Sequence, residues 1–326
     1  MGGSDSVSDF LKAAGWGDAA RVPLAGDAST RRFVRLVQPA GGASAVLMLT
    51  PGDALDSAAA FLKVTPILRG KGLSAPKVLG AAQDGSLILL EDLGDALLSR
   101  LDGPVADRAL ACAIDMLVRL GEGPLPDLPA YGPAKAAEQA RLVCDWYPVA
   151  GGAGLADELA GLIEETIAGI GPDRVTMLRD CHAGNLVWLP DRAGPARIGV
   201  LDHQDAHLAH PAYDLVSLLQ DARRDVPADA AAAMLARHAR ATGRPEADLR
   251  LAYVRFGAQR ALRIMGIFAR LARSGGRTGY LDHLPRVWGH LQANLAEGGQ
   301  DRLRDWVRRH LPPPDAALRA DLGRVA

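Results

Sequence analysis

Cysteine is scarce in this chain: Cys112, Cys144 and Cys181 are the only three in 326 residues, and none stands in a CxxC or Cys/His spacing. That excludes a disulfide framework and a thiolate zinc site, and suits a reducing compartment. The opening MGGSDSVSDFLKAAGW has no basic region followed by an apolar run, so it does not read as a secretory leader. No uninterrupted apolar stretch approaches the length needed to cross a bilayer. Net charge is -1, so no global field points to nucleic acid or to an anionic membrane. A soluble cytoplasmic protein without either partner is expected, and nothing in the pattern sets an oligomeric state. Lysine is also rare, five against thirty-two arginines. With abundant Ala, Gly and Pro this reads as coding bias, so an arginine is not functional by type alone.

No internal repeat or long low-complexity tract is present. A short helix is expected over 8–14. FVRLV at 33–37 and AVLMLT at 45–50 have strand character, and the PAGGAS between them is turn chemistry, which predicts a hairpin. Residues 54–70 read as helix, with Pro66 a kink or break. KVLGAA and SLILLEDLG follow as strands, the second with a fully apolar run, Leu87 to Leu90, that ends at Glu91-Asp92. From there the pattern turns helical, over 105–121, 134–146, 155–170 and most clearly 249–273. Two short apolar segments, 185–189 and 196–202, interrupt it around the turn PDRAGP. Strands followed by helices without regular alternation predict an α+β chain, a small antiparallel β lobe and a larger helical lobe, and argue against a Rossmann sheet. The expected division is 1–95 and 96–326.

The informative segment is MLRDCHAGNLVW at 177–188. Arg-Asp, four residues, then Asn is the spacing of the protein-kinase catalytic loop. Asp180 would take the acceptor hydroxyl's proton, Asn185 would reach a magnesium ion, and Gly184 would give the turn its backbone freedom. Seventeen residues beyond Asn185, after a turn and an apolar strand, comes Asp202. An acid there suits the main magnesium ligand, since that ion takes hard oxygens from one or two carboxylates plus phosphates and water. A single Asp near an Asn is usually a cap or turn; the whole string of loop, strand, turn and second acid is far more specific. Cys181 has no partner pattern for nucleophilic catalysis, and His182 reads as a structural hydrogen-bonding residue.

LRDCHAGN, VLDHQDA and HPAYDLVSLL resemble the aminoglycoside phosphotransferase and choline kinase superfamily, which shares the protein-kinase-like fold. The resemblance implies ATP and Mg2+ as cofactors, Asp180 as base, Asn185 and Asp202 as metal ligands, and Asp214 as a structural acid opening a helix over 215–222. GDASTRRFVRL at 26–36, LLEDLGD at 89–95, CDWYP at 144–148 and DHQDAHLAHPAYDLVSLLQDARRDV at 202–226 are similar to a narrower group. Those are the bacterial anomeric kinases for N-acetylmuramate and N-acetylglucosamine, which serve peptidoglycan recycling. By that likeness GDASTRR would cover the nucleotide phosphates through Ser29, Thr30, Arg31 or Arg32, and backbone groups of Glu91, Asp92 and Leu93 would bind adenine at a hinge. One departure stands out. The second strand has no lysine and the following helix no glutamate to pair with one. Either Arg31, Arg32 or Lys63 supplies the charge, or the chain is a degenerate kinase.

The helical half carries many arginines and few acids between Arg223 and Arg309, and no lysine. A polycationic aminoglycoside needs a ring of carboxylates, and a quaternary amine needs acids or an aromatic cage. A neutral or anionic sugar suits this half better, and Asp205, Asp145 and Trp146 are the candidate sugar contacts. Another small-molecule kinase of the superfamily, of aminoglycoside, choline or homoserine type, is the alternative expectation, with a non-catalytic nucleotide-binding protein behind it.

Overall fold

A computed structural model describes residues 3–24, 30–39 and 42–324. In chain order its first elements are α1 (Gly3–Ala13), β1 (Ala20–Leu24), β2 (Arg32–Val37), β3 (Ser44–Leu49), α2 (Leu55–Gly70), β4 (Val78–Ala81), β5 (Leu87–Glu91) and α3 (Gly103–Gly121). Then come α4 (Pro133–Ala140), α5 (Leu142–Trp146), α6 (Leu155–Ala168), β6 (Val175–Met177), β7 (Leu186–Trp188), β8 (Ile198–Val200) and β9 (His207–Ala209). The rest is helical: α7 (Ala212–Leu219), α8 (Ala228–Thr242), α9 (Glu246–Gly275), α10 (Leu284–Leu295), α11 (Asp301–His310) and α12 (Ala316–Leu322). The chain divides into two compact units, Met1–Arg119 with Gly184–Ala206, and Leu120–Ala183 with His207–Ala326.

The first unit is built on a five-stranded sheet in the order β1-β2-β3-β5-β4, antiparallel throughout. Its two cores follow from the two-residue period of a strand. Along β5, Leu87 and Leu89 join Leu36, Leu47 and the α1 residue Leu11 on one face. Ile88 and Leu90 join Met48 and the α2 residues Ala58 and Phe61 on the other. A strand apolar at every position therefore lies between two helices. The β7–β8 hairpin belongs to this unit because its strands bond back to it. Trp188 N donates to Ala96 O at 2.8 Å and Val200 N to Ser74 O at 3.0 Å. The units thus interleave in sequence, where composition suggested a single boundary after residue 95.

The second unit packs around α9, whose Leu262, Met265 and Ala269 are fully buried, against α4, α5, α7 and α10. The β6–β9 pair, in register from Val175↔Ala209 to Met177↔His207, holds the start of the RD segment.

Several sequence expectations need correction. The segment read as helix over 54–70 holds one α-helix, Leu55–Gly70, which Pro66 does not end. The helix read over 134–146 is two, α4 and α5, joined at Arg141. The helix read over 215–222 begins earlier, at Ala212, so Asp214 lies within its first turn. β1, β6 and β9 were not foreseen, being short or partly exposed strands with weak periodicity. Among the described residues, no helix is long and apolar enough to cross a membrane.

Candidate active site

In the second unit the segment after β6 is pinned by two buried carboxylates. Leu178 N donates to Asp214 Oδ2 at 2.6 Å and Arg179 N to Asp214 Oδ1 at 2.9 Å. Ala183 N donates to Asp221 Oδ2 at 3.0 Å. Asp214 sits in the first turn of α7 and Asp221 just beyond that helix, so one short element grips both ends of the loop. Burial pushes the Asp214 carboxyl up to about 7, against the two backbone donors. Between the grips, Arg179 adopts φ 72, a left-handed conformation uncommon outside glycine that surrounding structure must hold in place.

That bend presents Asp180. Its carboxylate lies 3.7 Å from Arg263 Nη1 of α9. Burial alone would raise its pKa, but the charges of Arg263, Arg179 and Arg260 outweigh it and hold the group below the ordinary carboxylate range. Asp180 is therefore an ionised acceptor with a quarter of its side chain exposed, the state a hydroxyl-orienting base requires. Arg263 is itself fixed, donating from Nε to Gln139 Oε1 at 3.0 Å and from Nη1 to the Tyr213 hydroxyl at 3.3 Å. His182 is held neutral mainly by burial, which suits a structural role.

In the first unit, the β7–β8 register places Asn185 and Asp202 at neighbouring strand ends. Leu186 faces Val200, and Leu201 N donates to Asn185 O at 2.9 Å. Asp202 has φ 53; it and Arg179 are the two non-glycine residues with positive φ among the described residues. His203, directly after it, is fully buried and stacks on Phe61 of α2 with ring centroids 4.3 Å apart. Thr65 Oγ1 donates to Phe61 O and lies 2.8 Å from His203 Nε2, while His203 Nδ1 lies 3.4 Å from Val200 O. Burial pushes His203 down to about 4, which keeps it neutral. The residue behind Asp202 is thus bolted to α2, and the left-handed turn aims the carboxylate.

Arg31 meets that carboxylate. Its Nη2 pairs with Asp202 Oδ1, and its Nη1 donates to Gln204 Oε1 at 3.1 Å and approaches Met48 Sδ of β3 at 3.9 Å. The Arg31 side chain is 4% exposed and that of Asp202 37%. Arg32 and Lys63, the other candidate cations, are exposed. Thr30 is exposed at the edge of the described segment, and Ser29 lies outside the described residues.

The donor set Asn185 and Asp202 fits magnesium: one carboxylate and one amide, both hard oxygens, on adjoining strand ends. Among the described residues no group of three or more His, Cys, Asp or Glu could hold a metal ion alone. Magnesium is commonly held by one or two side chains with the rest of its shell from phosphates and water.

At the expected hinge, side chains serve as braces. Glu91 pairs with Arg192 at 2.5 Å and accepts from Lys77 N at 3.0 Å. Asp92 pairs with Arg35 at 2.7 Å and accepts from Gly94 N at 2.9 Å. Leu93 is buried against Gly199, where an added Cβ would come within 2.9 Å of its Cδ1. Of the backbone donors there, Glu91 N is also taken, donating to Lys77 O at 2.8 Å. Of the sugar-contact candidates, Asp145 lines a cleft in the second unit together with Arg179 and Arg263. Trp146, half-buried at the end of α5, is outside that lining, and Asp205 belongs to the first unit, accepting from Gln204 Nε2 at 3.3 Å.

Sequence reading missed Arg263, Gln139, Thr65 and Phe61. Arg260 and Arg263 carried a usable signal, two arginines one turn apart on a helix face otherwise apolar; Thr65 and Phe61 looked like ordinary helix residues.

Residues 21–253 match the model of the Phosphotransferase enzyme family. A Caulobacter vibrioides protein named N-acetylmuramate/N-acetylglucosamine kinase is 36% identical over 93% of this chain and 95% of its own length. A Pseudomonas aeruginosa protein of the same name is 30% identical over 89% of each. Among solved structures, an aminoglycoside phosphotransferase of Streptomyces rimosus in complex with ADP and streptomycin superposes with TM-score 0.58 at 19% identity, covering 78% of this chain and 98% of its own. A choline/ethanolamine kinase family protein from Mesorhizobium loti does so with TM-score 0.63 at 16% identity, covering 94% and 99%. The fold is therefore protein-kinase-like, and the chain belongs to the phosphotransferase enzyme family.

Proposed function

We propose that this chain is an ATP-dependent sugar kinase that transfers the γ-phosphoryl group to the anomeric hydroxyl of N-acetylmuramate or N-acetylglucosamine, as a step of peptidoglycan recycling. The observation that carries the reading is Asp180, ionised among arginines on a loop gripped by Asp214 and Asp221. Relatives that share over 30% of their residues along nearly the whole chain bear the names of kinases for these two sugars, which supports the acceptor.

In this mechanism Asp180 orients the anomeric hydroxyl and accepts its proton as the oxygen attacks phosphorus. Asn185 and Asp202 would hold magnesium against the nucleotide phosphates, where it would neutralise charge that develops on transfer. Arg31 is the cation nearest to Asp202 and takes the role that a strand lysine plays elsewhere, reaching phosphate oxygens from beside the metal ligand. The backbone of 91–93 receives adenine. Positioning and charge neutralisation dominate phosphoryl transfer, so the two left-handed residues, Arg179 and Asp202, stand where precise aim matters most.

The test is ADP release over a panel of N-acetylmuramate, N-acetylglucosamine, aminoglycosides, choline and homoserine, with the product bond assigned by phosphorus NMR. A sugar 1-phosphate is expected from one or both N-acetyl sugars, and Asp180→Asn should lower kcat by about 10²–10⁴-fold. Strong turnover of aminoglycosides with none of either sugar would refute the reading.

A further inference from the structure

The cleft in the second unit has a volume of about 460 Å³, within the usual range for a small-molecule site of roughly 300–1,000 Å³. Its charged lining is lopsided: Arg141, Arg179, Arg263 and Arg270 against Glu138 and Asp145. Two of these charges are already engaged elsewhere, Glu138 with Lys135 at 2.8 Å and Arg141 with Asp157 at 2.6 Å. Arg263 is committed to Gln139, Tyr213 and the flank of Asp180.

Arg270 differs from the rest. It lies seven residues beyond Arg263 on α9, hence on the same face and about 10 Å further along the axis. Its guanidinium is exposed and makes no ion pair or side-chain hydrogen bond among the described residues. A positive fork at the open end of a cleft whose inner end flanks the ionised base selects for an acceptor with an anion at some distance from its reacting hydroxyl. Guanidinium matches a carboxylate with two parallel hydrogen bonds. Of the two sugars proposed as acceptors, only N-acetylmuramate carries such a group, the carboxylate of the lactyl ether two ring carbons away from the anomeric centre.

We propose that Arg270 is the carboxylate-binding residue of this cleft and sets a preference for the acid sugar over the neutral one. The inference rests on the sugar-kinase reading and narrows it. Asp145, unpaired on the same lining, is left to accept from ring hydroxyls, which both sugars have.

Initial rates with each sugar for the wild type, Arg270→Gln and Arg270→Lys test this. The wild type should have the higher kcat/KM for N-acetylmuramate, and only that sugar's KM should rise with added salt. Arg270→Gln should lower kcat/KM for N-acetylmuramate by about 10- to 100-fold, mainly through KM, and leave N-acetylglucosamine unchanged. Arg270→Lys should recover part of the loss. Equal effects on the two sugars, no effect on either, or a wild type that prefers the neutral sugar would overturn the proposal while leaving the sugar kinase standing. A wild type that phosphorylates neither sugar removes both.

Discussion

The residue that does most to distinguish this site is Arg31. Many kinases place a lysine on the second strand; here that strand, β3, offers the sulfur of Met48, and the guanidinium from the start of β2 lies against it at 3.9 Å. A longer, forked side chain thus arrives from the neighbouring strand at the same side of Asp202. Its burial makes the charge strong, because neighbouring protein screens it less than water would. Arg32, next in sequence, is exposed and has no such setting. Arg31→Ala should therefore raise the Michaelis constant for ATP by about tenfold or more, the usual cost of a lost charge-assisted contact, while Arg32→Ala leaves it near the wild-type value. Equal ATP kinetics in the two variants would show that the phosphate cation lies elsewhere. From sequence these arginines were equivalent; what separates them is which side of a pleated strand each occupies.

At the scale of elements, close packing of α9 on α5 holds the wall of the cleft proposed for the acceptor. An added Cβ at Gly266 would come within 2.4 Å of Leu142 C and 2.6 Å of Val143 N, backbone atoms of α5 that cannot rotate away. Gly266→Ala should destabilise the chain by roughly 1–3 kcal/mol or more, visible as a lower melting temperature by calorimetry, and should disturb Asp145, which α5 carries into the cleft. A variant with wild-type melting and activity would mean that α5 yields freely. Most of α9 was legible, because the three-to-four periodicity over 249–273 leaves little ambiguity. The β2–β3 hairpin and the buried β5 were equally plain, since alternation and turn chemistry are local signals. The α4–α5 break, the β6–β9 pair and the α2 contacts to His203 were not readable, because they depend on a single hydrogen-bonded turn, on strands about thirty positions apart and on residues more than a hundred positions apart. The same contrast divides the site. Asp180, Asn185 and Asp202 show in a motif, whereas Arg263 and Gln139 meet only when α4 and α9 pack together.

For the whole molecule, the buried imidazoles set the response to acid. His203, His210 and His238 are each pushed down to about 4, in every case first by burial. Unfolded imidazoles titrate near 6.5. Between about 6.5 and 4 the unfolded chain therefore binds more protons than the folded one, and stability falls as pH falls through that window. Asp214 acts in the opposite sense. Its carboxyl, raised to about 7 by burial, keeps a proton that an unfolded aspartate loses near 3.9, so its contribution is full in acid and lost as pH rises toward 7. The imidazoles outnumber it and decide the sign, since burial also lowers His182, His283 and His290. Protonation also has a local consequence, since Ala212 N donates to His210 Nδ1 at 3.2 Å at the start of α7, the helix whose Asp214 grips the loop after β6. His210 and His238 flank the Arg244–Asp173 pair, and both feel the repulsion of Arg244. The melting temperature should accordingly drop by several degrees between about pH 7.5 and pH 5, well above the range where surface carboxylates titrate. His238→Gln removes one of these titrating groups, so its melting temperature should fall less steeply over the same interval. A wild-type curve that is flat or rises toward pH 5, or a His238→Gln slope equal to that of the wild type, would show that these imidazoles are not what acid attacks first.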